Sequence, residues 1–146
     1  MTISRFFSTV LLMACAQACA ADFRSVGAFS VVLYDAPSVK GAKRYVAPRG
    51  MPVEIVARYG NWVKVRDADG EFAWTESKGL SPRRNVVVKV PFAKVYAAPD
   101  DNAAVLMTAD KGVLLELVDP QASDWARVRH QDGIAGFVHA FEVWGI

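Results

Sequence analysis

Val32-Leu33-Tyr34-Asp35-Ala36-Pro37 is met again as Lys94-Val95-Tyr96-Ala97-Ala98-Pro99, an offset of 62 residues, and Gly50 with Gly112 keeps that spacing. Asn61-Trp62-Val63-Lys64-Val65-Arg66 then aligns with Asp124-Trp125-Ala126-Arg127-Val128-Arg129 at an offset of 63, as do Asp69-Gly70 with Asp132-Gly133 and Trp74 with Phe137. A single extra residue therefore lies between Val56/Val118 and the tryptophans, where 57–61 faces 119–124. A length change confined to a Gly- or Pro-containing stretch is what a surface hairpin tolerates. One unit of about 60 residues is written twice.

Each copy reads as short strands divided by turn chemistry. Residues 29–34 are apolar and Val-rich, and Asp35-Ala36-Pro37 ends the run. In 52–56, Val53 and Ile55 share one face with Glu54 on the other, and Leu115 and Leu117 against Glu116 repeat the pattern. Val63 and Val65 likewise oppose Trp62, Lys64 and Arg66. Asp69-Gly70 and Asp132-Gly133 are hairpin dipeptides, since Gly accepts positive φ and Asp bonds nearby backbone. No stretch after residue 25 carries a sustained 3.6-residue apolar period with caps. The expectation is an all-β chain with a first domain over 26–83 and a second over 86–146. The linker 81–85 is short enough to hold the two as a rigid pair.

Composition narrows the function. The 146 residues are 53% apolar and 22% charged, which excludes a disordered chain, and two cysteines exclude a disulfide scaffold. A formal charge of +2 argues against a nucleic-acid binder, which needs a basic surplus to displace counterions. The balance hides an asymmetry: residues 26–85 hold 10 Lys+Arg against 6 Asp+Glu, and residues 86–146 hold 5 against 8. The two copies have diverged in surface charge.

Residues 1–20 read as a cleaved signal peptide: Arg5 supplies the positive start, 6–16 an uncharged apolar run, and Ala18-Cys19-Ala20 the small residues before a cut at Ala21. The run is too short to span a bilayer, which takes about 20 residues. Leu12-Met13-Ala14-Cys15 offers an alternative, a lipobox whose Cys15 would carry a lipid anchor. Either way the folded part faces an extracytoplasmic space, periplasmic or secreted in the first case and membrane-anchored as a lipoprotein in the second. Cleavage after Ala20 leaves no thiol in the mature chain.

The series Tyr-x-Ala-Pro, Gly before an alternating strand, Trp-x-x-Val-Arg, Asp-Gly and a closing aromatic resembles the bacterial SH3-like domain, here in tandem over 28–146. The resemblance implies two small five-stranded, partly open β-barrels of a kind found in envelope proteins and beside cell-wall hydrolases, where they bind peptides or peptidoglycan. Ala73 departs from the pattern, which has Gly at the position of Gly136. Peptidases that carry such domains use a separate Cys-His core.

The inventory for catalysis is thin. No G-x-S-x-G, H-E-x-x-H or P-loop string occurs, and only His130 and His139 are available, both in the second copy. His130, Asp132 and His139 could assemble a weak metal site, but a strand-end His, a turn Asp and a surface His is the plainer reading, and no metal, cofactor or enzyme activity is expected. Binding is read instead from aromatics. The repeated Tyr34/Tyr96, Trp62/Trp125 and Trp74/Phe137 suit a barrel core or rim, or a shared recognition surface. Tyr45, Arg58, Tyr59 and Trp74 of the first copy combine basic charge with aromatic area and are the candidate ligand residues. The function expected is an exported, non-catalytic envelope module recognising peptidoglycan or an envelope peptide or protein. The alternative is a scaffold or oligomerising subunit that binds only protein.

Overall fold

The computed structural model describes residues 20–120 and 123–146; the leader reading, with Cys15 and Cys19, lies outside them except for Ala20. The first sheet contains β1 (Asp22–Val26), β2 (Val31–Tyr34), β3 (Lys43–Ala47), β4 (Pro52–Tyr59), β5 (Trp62–Arg66), β6 (Phe72–Glu76) and β7 (Leu80–Ser81). Its spatial order is β3-β2-β6-β5-β4-β1-β7. The second contains β8 (Asn85–Val88), β9 (Phe92–Tyr96), β10 (Val105–Asp110), β11 (Leu114–Asp119), β12 (Trp125–Arg129), β13 (Ala135–His139) and β14 (Val143–Trp144). Its order, β10-β9-β13-β12-β11-β8-β14, is the same topology, and every pairing is antiparallel. A three-residue 3-10 turn precedes each closing strand, at Ser77–Gly79 and Ala140–Glu142.

The repeat holds down to single hydrogen bonds. Gly50 N donates to Val26 O at 2.9 Å and Gly112 N to Val88 O at 2.8 Å; Asp67 N donates to Glu71 O at 3.0 Å and His130 N to Ile134 O at 2.8 Å. The glycines of both Asp-Gly turns sit at positive φ, 85° at Gly70 and 97° at Gly133. The alignment shifts register beside a bulge present in both copies, between Ile55 and Ala57 and between Leu117 and Asp119.

Each sheet has seven strands, two more than the barrel implied by resemblance. In each sheet the strand that opens the domain, β1 or β8, pairs with the two-residue closing strand. The first sheet thus starts at Asp22, ahead of the expected boundary at 26, and the joint between sheets shortens to residues 82–84. Phe29 stands outside β2 at 84% exposure, because the bend before Val31 removes it from the ladder.

Alternation sorts the side chains as the sequence anticipates. Val63 and Val65 are buried while Trp62, Lys64 and Arg66 face outward. Both cores are built from Val, Leu and Ala, with Leu33 and Val53 central in the first and Leu115 and Val128 in the second. Among the described residues no aromatic ring is fully buried. The narrow space between curled strands is filled by branched aliphatics, and the repeated rings lie half-buried on the outer faces instead.

Side chains bind the domains together at the joint. Asn85 Nδ2 donates to Gly50 O at 2.8 Å. Arg84 Nη2 donates to Gly145 O at 3.0 Å, and its guanidinium lies 5.4 Å from the Phe23 ring centre. Phe23 meets Trp144 edge to face, with centroids 5.1 Å apart. Arg84→Ala is expected to cost about 1–2 kcal/mol, from one charged hydrogen bond and one cation–π contact. Calorimetry of the whole chain reads this; an unmoved transition would show that the joint contributes no stability.

Candidate functional site

An apolar concavity lies where the domains meet, a cleft of about 490 Å3. Its floor is Met51 and Pro52 from the first domain and Val87 and Leu114 from the second, and Asp67, Asp69 and Glu71 edge it with carboxylates. Local chemistry explains the rim. Asp67 follows β5 at the start of the Asp-Gly turn, where its Oδ1 accepts from the backbone N–H of Asp69 at 3.0 Å and of Glu71 at 2.9 Å. That bonding makes burial of an ionised carboxylate tolerable. The Tyr45 hydroxyl, on β3, donates to Asp67 Oδ2 at 2.5 Å. Arg44 approaches Glu71 to 3.8 Å from the outside. An apolar floor with an acidic rim suits an aliphatic group carrying an amine or other cation.

Burial first, then the hydrogen bond to Asp67 and the nearby acidic charges, push the Tyr45 phenol above its ordinary value of 10.0. The folded state therefore holds this proton more tightly than the unfolded chain does. The resulting stabilisation is complete below about pH 10 and is lost as the pH rises further. Tyr45→Phe is expected to cost about 1–2 kcal/mol at neutral pH, for a buried carboxylate oxygen deprived of its donor. The gap to the native protein should narrow at high pH. Urea unfolding of both proteins at pH 7 and pH 11 measures it, and a gap that stays constant rejects the assignment.

The four candidate ligand residues of the first copy occupy three separate places, Arg58 and Tyr59 being consecutive at the end of β4. Tyr45 lines the cleft. Arg58, near the end of β4, pairs with Asp22 at 2.8 Å, and Asp22 also holds Arg24 at 3.0 Å. Tyr59, beside the β4–β5 turn, is 67% exposed. Trp74 is on the outer face of β6, in register with Tyr34 on one side and Lys64 on the other. No described contact joins any two of the four.

The repeated aromatics form one motif twice. Tyr34 meets Trp62 edge to face at 5.6 Å, and Tyr96 meets Trp125 at 5.5 Å. All four are half-buried on outer faces, as are Trp74 and Phe137. The second copy extends its pair: His139 stacks on Trp125 at 3.9 Å and on Phe141 at 5.2 Å, and its Nε2 lies 2.8 Å from Asp101. His130, at the far end of the β12–β13 ladder, lies 2.8 Å from its own Asp132. His130, Asp132 and His139 therefore do not converge, and no metal-ligating cluster occurs among the described residues.

The family of the chain follows from this doubled architecture. The bacterial SH3 domain matches twice, over residues 28–82 and 89–145. The chain belongs to the bacterial SH3 domain family. Among solved structures it is similar to NlpC1 of Trichomonas vaginalis, with 14% identity, 94% of this chain and 50% of that one covered, and a TM-score of 0.41. NlpC2 of the same organism gives 13% identity, 85% and 48% coverage and a TM-score of 0.40. An NlpC/P60 family protein from Bacillus cereus gives 16%, 84% and 55%, and 0.38. The tandem bacterial SH3 chain spans about half the length of these structures. No curated protein matches it. Among the described residues no helix is long and apolar enough to cross a membrane.

Asp67 escapes a sequence reading because an Asp before an Asp-Gly turn looks purely structural. Its non-equivalence with His130, in turns that share the Asp-Gly dipeptide, marks it out.

Proposed function

We propose that the protein is an exported, non-catalytic binding module of the bacterial cell envelope that recognises peptidoglycan or a peptide ligand. The observation that carries this reading is the interdomain cleft, with its apolar floor and the Tyr45–Asp67 pair at its acidic edge. Such a cleft offers a peptide both side-chain burial and a polar anchor. Tyr45 is its aromatic wall, while Tyr59, Arg58 and Trp74 are secondary contacts available to a larger ligand. The apolar leader supports export, with the mature chain starting at Ala21 or lipidated at Cys15.

Sedimentation with purified, protein-free peptidoglycan tests the reading. The native protein is expected in the pellet, and Met51→Asp, which puts a charge into the apolar floor, in the supernatant. Native protein that stays in the supernatant rejects the peptidoglycan reading. The alternative, a scaffold that binds only protein, draws on the outward Tyr–Trp pairs present in both domains. It would be favoured by an envelope protein partner lost on Trp62→Ala and Trp125→Ala but kept on Met51→Asp.

A further inference from the structure

A second cleft, also of about 490 Å3, opens at the same joint and shares the Leu114 wall with the first. Its charge is opposite. Arg49, in the turn after β3, and Arg83, in the linker, meet Arg129 at the end of β12, with His130 beside it. A single carboxylate lines this cleft, Glu116, and it lies 3.4 Å from Arg129. Arg49 and Arg83 are exposed, and neither has an ion pair with a described carboxylate.

The two clefts are built on the same turn of the duplicated fold. His130 occupies the place of Asp67, and Gln131 that of Ala68. The backbone is preserved: Gly70 N donates to Asp67 O at 3.1 Å, and Gly133 N to His130 O at 2.9 Å. Folding of the turn therefore does not require the change of charge. Arg129 is contributed by the second domain, Arg49 by the first and Arg83 by the linker between them. Arg49 is held over the second domain because the adjacent Gly50 O accepts from Asn85 at 2.8 Å, and Arg83 precedes Arg84, which bonds Gly145. The cationic cleft exists only in the docked pair.

We propose that this cleft binds a carboxylate group of a short peptide. Guanidinium forks match the planar, two-oxygen geometry of a carboxylate. Leu114 provides an adjoining apolar wall for an aliphatic side chain, and the Gln131 amide can bond a peptide group. A bare inorganic anion would use the arginines alone. The inference rests on the peptide-binding reading for its ligand class and adds the site and the group recognised.

The test follows backbone amide resonances of the purified protein during titration with acetyl-Ala-Glu, a dicarboxylate, and with acetyl-Ala-Gln-amide, its uncharged counterpart. Saturable shifts around Arg49, Arg83, Arg129 and His130 are expected with the first peptide only. Arg49→Gln/Arg83→Gln should weaken binding at least about tenfold with the melting temperature unchanged, since both side chains are exposed. If the double variant does not fold, Arg83→Gln alone is read in the same way. Equal binding of the uncharged peptide, undiminished affinity in the variant, or inorganic phosphate competing as well as the dicarboxylate would each overturn the proposal. Sedimentation with peptidoglycan is scored separately on the native protein. A pellet without a dicarboxylate response removes this site and keeps the functional reading, whereas a dicarboxylate response without a pellet keeps this site and rejects only the peptidoglycan half of that reading.

Discussion

Leu115→Ala is expected to unfold the second domain or leave it barely folded at room temperature. Leu115 is 1% exposed in a core made otherwise of Leu117, valines and alanines. Removing its side chain costs the transfer energy of the lost methyl and methylene groups plus the energy of the cavity, together about 2–5 kcal/mol. The surrounding strands are tied by two-sided ladders and cannot collapse onto the gap. A domain of about 60 residues has roughly 3–9 kcal/mol in total at 0.05–0.15 kcal/mol per residue. Urea unfolding followed by near-ultraviolet dichroism checks it. A midpoint within error of the native value would mean that the interdomain contacts, rather than the aliphatic core, hold this domain.

Gly136→Ala should be the most damaging small substitution in the chain. A Cβ built there would lie 2.3 Å from Tyr96 O and 2.9 Å from Val95 Cγ1. The first of these is backbone, so no rotamer change can relieve it, and β13 must move away from β9. Overpacking of this kind costs about 1–3 kcal/mol, occasionally more. The movement would also disturb the Phe137–Tyr96 pairing, where the two strands meet. In the first domain Ala73 holds the equivalent position, buried at 3% exposure, so β6 and β2 there accommodate a methyl group. Ala73→Gly should accordingly cost about 1–2 kcal/mol, from added unfolded-state freedom and a lost methyl contact, with no backbone clash. Thermal melts of both variants decide the matter, and equal losses would show that the departure at Ala73 has no packing consequence.

The charge difference between the copies takes on a different meaning once the joint is described. The first domain is the more basic one overall, yet its own turn edges the acidic cleft, while its Arg49 leans over the second domain into the cationic one. Net charge per domain therefore does not indicate which ligand charge each cleft prefers. The local set of facing side chains does, because charges beyond a Debye length of about 8–10 Å are screened.

The sequence alone was sufficient for the duplication, the all-β class and the inward face of each strand. These are local properties: a period of two at Val63 and Val65, or at Leu115 and Leu117, states which side of a strand is apolar without reference to any distant residue. Both Asp-Gly turns were equally legible, because a positive φ is a demand on one residue. The repeated tryptophans were only half readable. Repetition marked Trp62 and Trp125 as belonging to the fold, but whether a ring lies inside or on the outer face depends on the width of the space between opposing strands, which is already filled by valines and leucines. The clefts were not legible at all. Tyr45 and Asp67 meet through the folding of the first sheet, whereas Arg49 and Arg129 share a cleft, and Gly50 and Asn85 a hydrogen bond, because three residues turn the chain from β7 into β8. No periodicity encodes that placement, since it is the joint outcome of contacts between residues tens of positions apart. The tertiary structure alone decided it.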